Sequence, residues 1–262
     1  MAMGLLTFTM YVGYTAVTAL VSSAGEGEGS RHVASGAQAG ANGVIAPAHA
    51  VATQPPRRVD CAVTPCVALT FDDGPVPQTA DVVDLLEARG ARATFYVVGE
   101  QAKRYPSVLR HATEAGNEIG NHSWSHVDLR RADPGTGARE LDRTGDAIEE
   151  ATGVRPATMR PPYGAVATSV AAQAGLPQIL WSVDTRDWDG RSTASVVARV
   201  LAEAQPGGIV LMHDVKGTTR AAVPQILDAL LGKGYALVTV SELLGGDLTP
   251  GGIYHAGPAP TT

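Results

Sequence analysis

Cysteine is scarce in this chain. Only Cys61 and Cys66 occur among its 262 residues, and with no second pair to complete four ligands a cysteine-only metal site is excluded. Positive charge is also short: 20 Lys and Arg stand against 26 Asp and Glu, for a formal net charge of −6. That balance gives no broad basic field for a phosphate backbone, so no nucleic-acid partner is expected. Between positions 59 and 244 there is no Gly-x-Ser-x-Gly elbow, which argues against a serine hydrolase. No internal repeat is present.

A positive flank is missing from the amino terminus. An apolar run over 5–21, broken only by Thr, Tyr and Gly, leads into the small residues Ser22-Ser23-Ala24, the pattern of an export signal. No Lys or Arg precedes the run, and the first positive charge is Arg31, behind Glu26 and Glu28. A retained anchor whose positive flank stayed inside would leave the rest of the chain in the cytoplasm. The preferred reading is a cleaved signal over 1–24, with a membrane anchor as the alternative. The protein is then secreted or extracellular, and membrane contact is expected only through this segment if it is uncleaved. Positions 25–58 are rich in Gly, Ala, Ser and Val without sustained periodicity and read as a flexible linker. In an exported chain, two cysteines five positions apart suggest a disulfide, unpaired thiols being the alternative. So short a loop contributes about 2 kcal/mol in the chain-entropy picture, enough to pin the start of the domain but not to hold the fold.

What the chain does have is apolar content, 44% of its residues, enough for a sizeable core in one domain, assigned to 59–244. Short apolar runs alternate with amphipathic stretches, as when parallel strands are joined by covering helices. Strands are expected over 67–71, 93–98, 118–120, 158–160, 178–183, 208–212 and 236–240. Helices are expected over 79–89, 105–115, 136–152, 167–174, 194–204, 219–231 and 240–244. Right-handed crossovers would roll about seven parallel strands into a distorted (β/α) barrel, an α/β fold. Residues 245–262, with Pro250-Gly251-Gly252 and Gly257-Pro258, read as a loosely ordered tail.

The residues suited to chemistry each follow the last apolar residue of an expected strand: Asp72 and Asp73, His122, Arg160 to Tyr163, Asp184 to Trp188, and His213. In a parallel barrel all strand carboxyl ends open on one face, so these clusters converge on one rim. Taken alone, Asp72-Asp73-Gly74-Pro75 is either a two-carboxylate site or an acidic turn bonded to its own backbone. His122 and His126, four apart, can face one ion or be paired surface or capping histidines. With Asp73 as third ligand they make a set of two histidines and one carboxylate with an open position, the pattern of a hydrolytic site. Zinc is the first choice, with cobalt or another divalent ion as alternatives. The histidines at 32, 49, 111 and 255 lie in the linker, a helix and the tail and are not catalytic candidates. Neither cysteine accompanies a strand-end histidine, so neither is a nucleophile.

Five ordered stretches, Thr70-Phe71-Asp72-Asp73-Gly74, His122-Ser-Trp-Ser-His126, Arg160-Pro161-Pro162-Tyr163-Gly164, Asp184-Thr-Arg-Asp187-Trp188 and Leu211-Met212-His213, resemble the motifs of the polysaccharide deacetylases of carbohydrate esterase family 4, whose catalytic domain is the NodB homology domain. Five motifs in order are far more specific than any one of them. The resemblance implies a distorted (β/α) barrel, Asp73, His122 and His126 as metal ligands, Asp72 as general base towards the attacking water and His213 as general acid. It also implies Asp187, with Asp184 second, as the carboxylate beside His213, and Arg160 as the partner of Asp72. Substrate contacts fall to the backbone amide of Tyr163, with Pro162 in the same motif, and to an acetyl-methyl pocket of Trp188 and Leu211.

The expected activity is metal-dependent deacetylation of an acetylated polysaccharide or oligosaccharide, N-acetylglucosamine groups of chitin-type oligomers or peptidoglycan first. An O-acetyl xylan esterase is the alternative on the same site, and a catalytically silent carbohydrate-binding scaffold a remote one. A monomer is expected.

Overall fold

The computed structural model describes residues 59–260. The segments expected as an export signal or membrane anchor over 1–24 and as a linker over 25–58, with His32 and His49, lie outside them. The described strands are β1 (Cys66–Asp72), β2 (Ala93–Val97), β3 (Glu118–Asn121), β4 (Gln178–Ile179), β5 (Val183–Asp184), β6 (Gly208–Met212), β7 (Ala236–Leu237) and β8 (Ile253–Tyr254). They alternate with helices α1 (Thr79–Glu87), α2 (Gly99–Arg104), α3 (Pro106–Glu114), α4 (Pro134–Thr152), α5 (Thr168–Gln173), α6 (Thr193–Glu203), α7 (Gly217–Gly232) and α8 (Val240–Leu244).

Every residue of β1 is buried, as a parallel strand covered on both faces must be. Its side chains alternate between two environments. Val67, Leu69 and Phe71 join the main apolar cluster beneath α1, α3, α4, α6 and α7, whereas Cys66 and Ala68 join a second cluster on the other face, a face that Thr70 and Asp72 continue. The neighbouring strands keep step. Ala93, Phe95 and Val97 of β2 and Val210 and Met212 of β6 face the helices, while Tyr96 and Ile209 face inward. By the same alternation Leu211 and, just past the strand, His213 share the inner face with Asp72. Phe71 stacks on Phe95 with ring centroids 5.2 Å apart, so the outer face of the central pair is closed by aromatic packing.

The pairing runs β3-β2-β1-β6-β5, all parallel, and β7 pairs with the start of β1. The expected strand over 178–183 is instead two short strands. Its first half pairs with β8 and is bridged to Met159, itself bridged to Asn121 at the end of β3; its second half pairs with β6. One segment therefore reaches both edges of the sheet, which accounts for the distortion expected of the barrel. The break has a cause: the carbonyls of Ile179 and Leu180 accept hydrogen bonds from the Arg160 guanidinium at 3.0 and 2.9 Å and are withdrawn from strand pairing.

Other expectations shift for equally local reasons. The strand expected over 158–160 is reduced to the bridges at Met159. The one expected over 236–240 stops at Leu237, because Thr239 starts α8 with a capping box in which it and Glu242 bond each other's backbone. Helix α2 was not foreseen, its six residues being too short for a periodic signal. Residues from 245 on, expected as a loose tail, contribute β8 and an antiparallel bridge from Ala256 to Gly208. Cys61 and Cys66 are joined in a disulfide, as expected, at the start of β1.

Candidate active site

Asp72 ends β1 on the inner face and is 3% exposed. Arg160, fully buried, donates to it at 2.7 Å and to the Thr70 hydroxyl at 2.7 Å, with its remaining bonds to the two carbonyls of the broken strand. Tyr96 lies under the guanidinium, 4.3 Å from the ring centroid. The guanidinium is thus matched on every side, and Asp72 is held as a charge-assisted partner. Asp73, next along the chain, would point to the opposite face in a regular strand. Its left-handed backbone, φ 73°, turns its carboxylate into the cavity that Asp72 also lines.

His122 and His126 face Asp73 across that cavity. Their Nε2 atoms stand 3.4 and 3.2 Å from Asp73 Oδ1, and the three ligand atoms lie within 4.8 Å of one another. His122 Nδ1 lies 2.8 Å from the Arg160 carbonyl. A carbonyl only accepts, so the ring proton sits on Nδ1 and the Nε2 lone pair faces Asp73. Asp73 Oδ1 is buried with no hydrogen-bond donor. A buried carboxylate oxygen without a donor, beside two imidazole Nε2 atoms, is a set that a divalent cation would satisfy. Burial works to raise the Asp73 carboxyl, but the two histidines outweigh it and hold it well below the usual carboxylate range, so it is an anion at neutral pH. These three residues fit a divalent metal ion.

His213 lines the same cavity. Asp187, 1% exposed, bonds its ring Nδ1 at 2.8 Å and its backbone N–H at 2.7 Å, and the Thr219 hydroxyl donates to the same carboxylate. Burial alone would lower the His213 imidazole; Asp187, Asp72 and Asp73 reverse that and raise it above the ordinary histidine value. Asp187 responds inversely, its carboxyl held low by His213 against the pull of burial. Asp184, the second choice for this role, instead accepts from the Arg186 backbone N–H at 2.8 Å.

This cavity measures about 430 Å³ and is lined by Asp72, Asp73, His122, His126 and His213 together with Tyr163, Trp188, Leu211, Gly164, Trp181 and Asp184. Of the expected site residues, Arg160 and Asp187 stand behind it, acting on Asp72 and His213. Pro162 is buried and is not part of the wall. Tyr163 is 72% exposed and Trp188 49% exposed, so both stand at the open rim of the cavity that they line with Leu211. A larger cavity, about 640 Å³, lies among Val59, Arg92, Leu231 and Leu237, with Asp60 and Glu87 but no histidine in its lining. All five non-glycine residues with positive φ among those described, Asp73, Ser123, His126, Tyr163 and Arg186, belong to the motif loops around the smaller cavity, where backbone strain is expected to gather.

Three contributors have no signal in the sequence. Trp181 lines the cavity, but a lone Trp in an apolar run reads as core. Thr219, which braces Asp187, lies in a helix more than thirty positions away. Asp214 is fully buried and receives the Thr79 hydroxyl on Oδ2, leaving Oδ1 without a partner; burial pushes its carboxyl up to about 6. A Cβ at Gly74 would lie 2.9 Å from that Oδ1, so the turn after Asp73 needs glycine for close approach.

Residues 60–179 match the family model for polysaccharide deacetylase. A peptidoglycan-N-acetylglucosamine deacetylase of Listeria monocytogenes is 43% identical over 189 residues, which cover 72% of this chain and 41% of that protein; the chain thus spans less than half the length of that relative. A chitooligosaccharide deacetylase of a Bradyrhizobium strain is 41% identical over 160 residues, 59% of this chain and 73% of that one. Among solved structures, a deacetylase described as T48 with substrate superimposes with a TM-score of 0.71 at 42% identity, covering 75% of this chain and 99% of that one. A family 4 carbohydrate esterase from Streptomyces lividans, in complex with acetate, gives 0.66 at 33% identity, covering 76% and 100%.

Proposed function

Given that the chain belongs to the polysaccharide deacetylase family, we propose that it removes acetyl groups hydrolytically from an acetylated polysaccharide, N-acetylglucosamine units of peptidoglycan or chitin-type oligomers first. The observation that carries this reading is one cavity lined by Asp72, Asp73, His122, His126 and His213, with Asp187 bonded to His213 behind it. When bound by Asp73, His122 and His126, a divalent ion supplies Lewis-acid polarisation of an acetyl carbonyl and its attacking water. Zinc suits this donor set of two imidazoles and a carboxylate, as would cobalt or another divalent ion.

The rest is the work of the chain's own side chains. Asp72, oriented by Arg160, accepts the proton of the attacking water. His213, with Nδ1 committed to Asp187, presents Nε2 to the leaving atom and gives it a proton as the tetrahedral species collapses. An amine leaves poorly unprotonated, so a raised imidazole suits amide cleavage. The Tyr163 backbone N–H donates to the developing oxyanion. Leu211, with Trp181 and Trp188 beside it, offers apolar surface to the acetyl methyl.

Names of relatives support the substrate choice: peptidoglycan and chitooligosaccharide deacetylases on one side, a bifunctional xylanase/deacetylase on the other. The last keeps O-acetyl xylan as the second reading. Complete motif side chains speak against a silent scaffold. The Cys61–Cys66 disulfide supports an oxidising, extracytoplasmic location, and the proposed protein is a secreted monomer, or one tethered by its amino-terminal segment. The test is acetate release by the full chain from peptidoglycan, chitin oligomers and acetylated xylan in parallel. Faster release from either N-acetyl polymer supports the amide reading, release from xylan alone the ester reading, and release from none of the three overturns the assignment.

A further inference from the structure

Both metal-facing histidines sit on one short loop whose shape is not self-sustaining. Ser123 and His126 hold φ values of 62° and 57°, a region that residues with a Cβ rarely occupy and that persists only where neighbours over-determine it. Helix α4 supplies those neighbours at three points. The Asn121 side-chain amide donates to the Leu141 carbonyl at 2.8 Å and accepts from the Ser123 N–H at 3.0 Å. One carboxylate oxygen of Glu140 accepts both the backbone N–H and the hydroxyl of Ser125, at 2.9 and 3.1 Å. The Arg143 guanidinium carbon lies 3.6 Å from the ring centroid of Trp124, a cation–π contact that clamps the middle of the loop.

Helix α2 closes the loop from the other side. Gly99 and Glu100 donate their N–H groups to the carbonyls of Ser123 and Trp124 at 2.9 and 3.0 Å, and a Cβ on Gly99 would come within 2.5 Å of the Trp124 ring. Trp124 is thus gripped between Gly99 and Arg143, with a metal-facing histidine two positions away on each side.

We propose that Glu140 and Arg143 are positioning residues that hold the His122–His126 loop in its metal-ready shape before any ion arrives. Neither lines the cavity and neither is a ligand. Glu140 is half-buried and Arg143 exposed, so losing either leaves the α4 core side chains in place. A less organised loop must be ordered by the ion itself, which lowers affinity, and partners of metal ligands are typically worth about 10–100-fold in metal binding. The inference rests on the metal-site reading above but does not depend on which acetylated substrate is turned over.

Charge alone makes a different forecast, and the signs separate the two. Removing the Glu140 carboxylate would weaken cation binding by electrostatics too, but removing the Arg143 cation would strengthen it. The experiment titrates zinc into the metal-free full chain and its Glu140→Ala, Glu140→Gln and Arg143→Ala variants, with a competing chelator setting the scale and circular dichroism confirming folding. The expected result is about tenfold or greater weakening for Glu140→Ala, weakening for Arg143→Ala as well, and recovery of most of the loss in Glu140→Gln, whose amide oxygen still accepts from Ser125. Binding by Arg143→Ala as tight as or tighter than the parent, parental affinity in Glu140→Ala, or a Glu140→Gln variant as weak as Glu140→Ala overturns the proposal. A parent chain that binds no zinc overturns it together with the metal site. Failure of the function alone would show as bound zinc without acetate release.

Discussion

Asp187 holds His213 by two atoms at once, the ring Nδ1 at 2.8 Å and the backbone N–H at 2.7 Å, so the carboxylate fixes both the tautomer of the imidazole and its position at the end of β6. Because His213 is raised by its carboxylate neighbours, its protonated form contributes stability that is fully present below the unfolded histidine value and is lost as pH rises through the folded one. Asp187→Asn should bring the His213 titration in the metal-free chain down towards the ordinary value, read by NMR. It should also cut kcat by about 100-fold or more, the usual scale of general-acid catalysis. An unmoved titration would remove Asp187 from its role.

Arg160 is buried among Asp72, Thr70 and two strand carbonyls. Arg160→Ala leaves the buried Asp72 unpaired, and breaking a buried pair from one side costs about 3–5 kcal/mol. Arg160→Lys should recover little, because an ammonium cannot reach both the carboxylate and the carbonyls. Denaturant unfolding of the three chains checks this; a Lys variant as stable as the parent would show that charge, and not the guanidinium fork, is what matters.

Asp214 has the opposite linkage sign. Its folded carboxyl is pushed up to about 6, so the fold binds its proton more tightly than the unfolded chain does, and stability is lost as pH rises from about 4 through about 6. The loss is about 2–3 kcal/mol on that shift. Asp214→Asn keeps an acceptor for Thr79 and should flatten this part of the stability–pH curve, measured by thermal unfolding of the metal-free chain from pH 4 to 8. An unchanged slope would contradict it.

Phe71 seals the helix-facing side of the central strands against Phe95. Phe71→Ala should cost about 3–5 kcal/mol, the range for truncating a buried aromatic, in a urea unfolding experiment. A cost below about 1 kcal/mol would mean that the core collapses around the gap.

The sequence made the central strands legible because β1, β2 and β6 are buried apolar runs ended by polar residues, a local signal. It could not show that Met159 pairs with Asn121 and Gln178, that β8 joins β4, or that Arg160 would break the 178–184 segment by taking its carbonyls, since those are partnerships across long separations. The candidate site was legible where a candidate residue ends or directly follows a strand, as Asp72 and His213 do. Adjacent strand positions point to opposite faces, so the sharing of one cavity by Asp73 and Asp72 follows only from the left-handed backbone of Asp73. Trp181, Thr219 and Asp214 escaped because each acts through a contact and carries no motif of its own. Pro162 was included for its place in a motif, which fixes the position of Tyr163 but puts no proline atom on the cavity wall.

In the proposed reaction Asp72 acts as base beside a metal held by Asp73, His122 and His126. The most direct test measures acetate release and bound zinc together, in the parent chain and in Asp72→Asn, before and after chelation and zinc return. Chelator-sensitive, zinc-restored release is expected in the parent, and in Asp72→Asn one zinc per chain with release reduced by at least about 100-fold. Release that survives complete metal removal, or an Asp72→Asn chain as active as the parent, would contradict it.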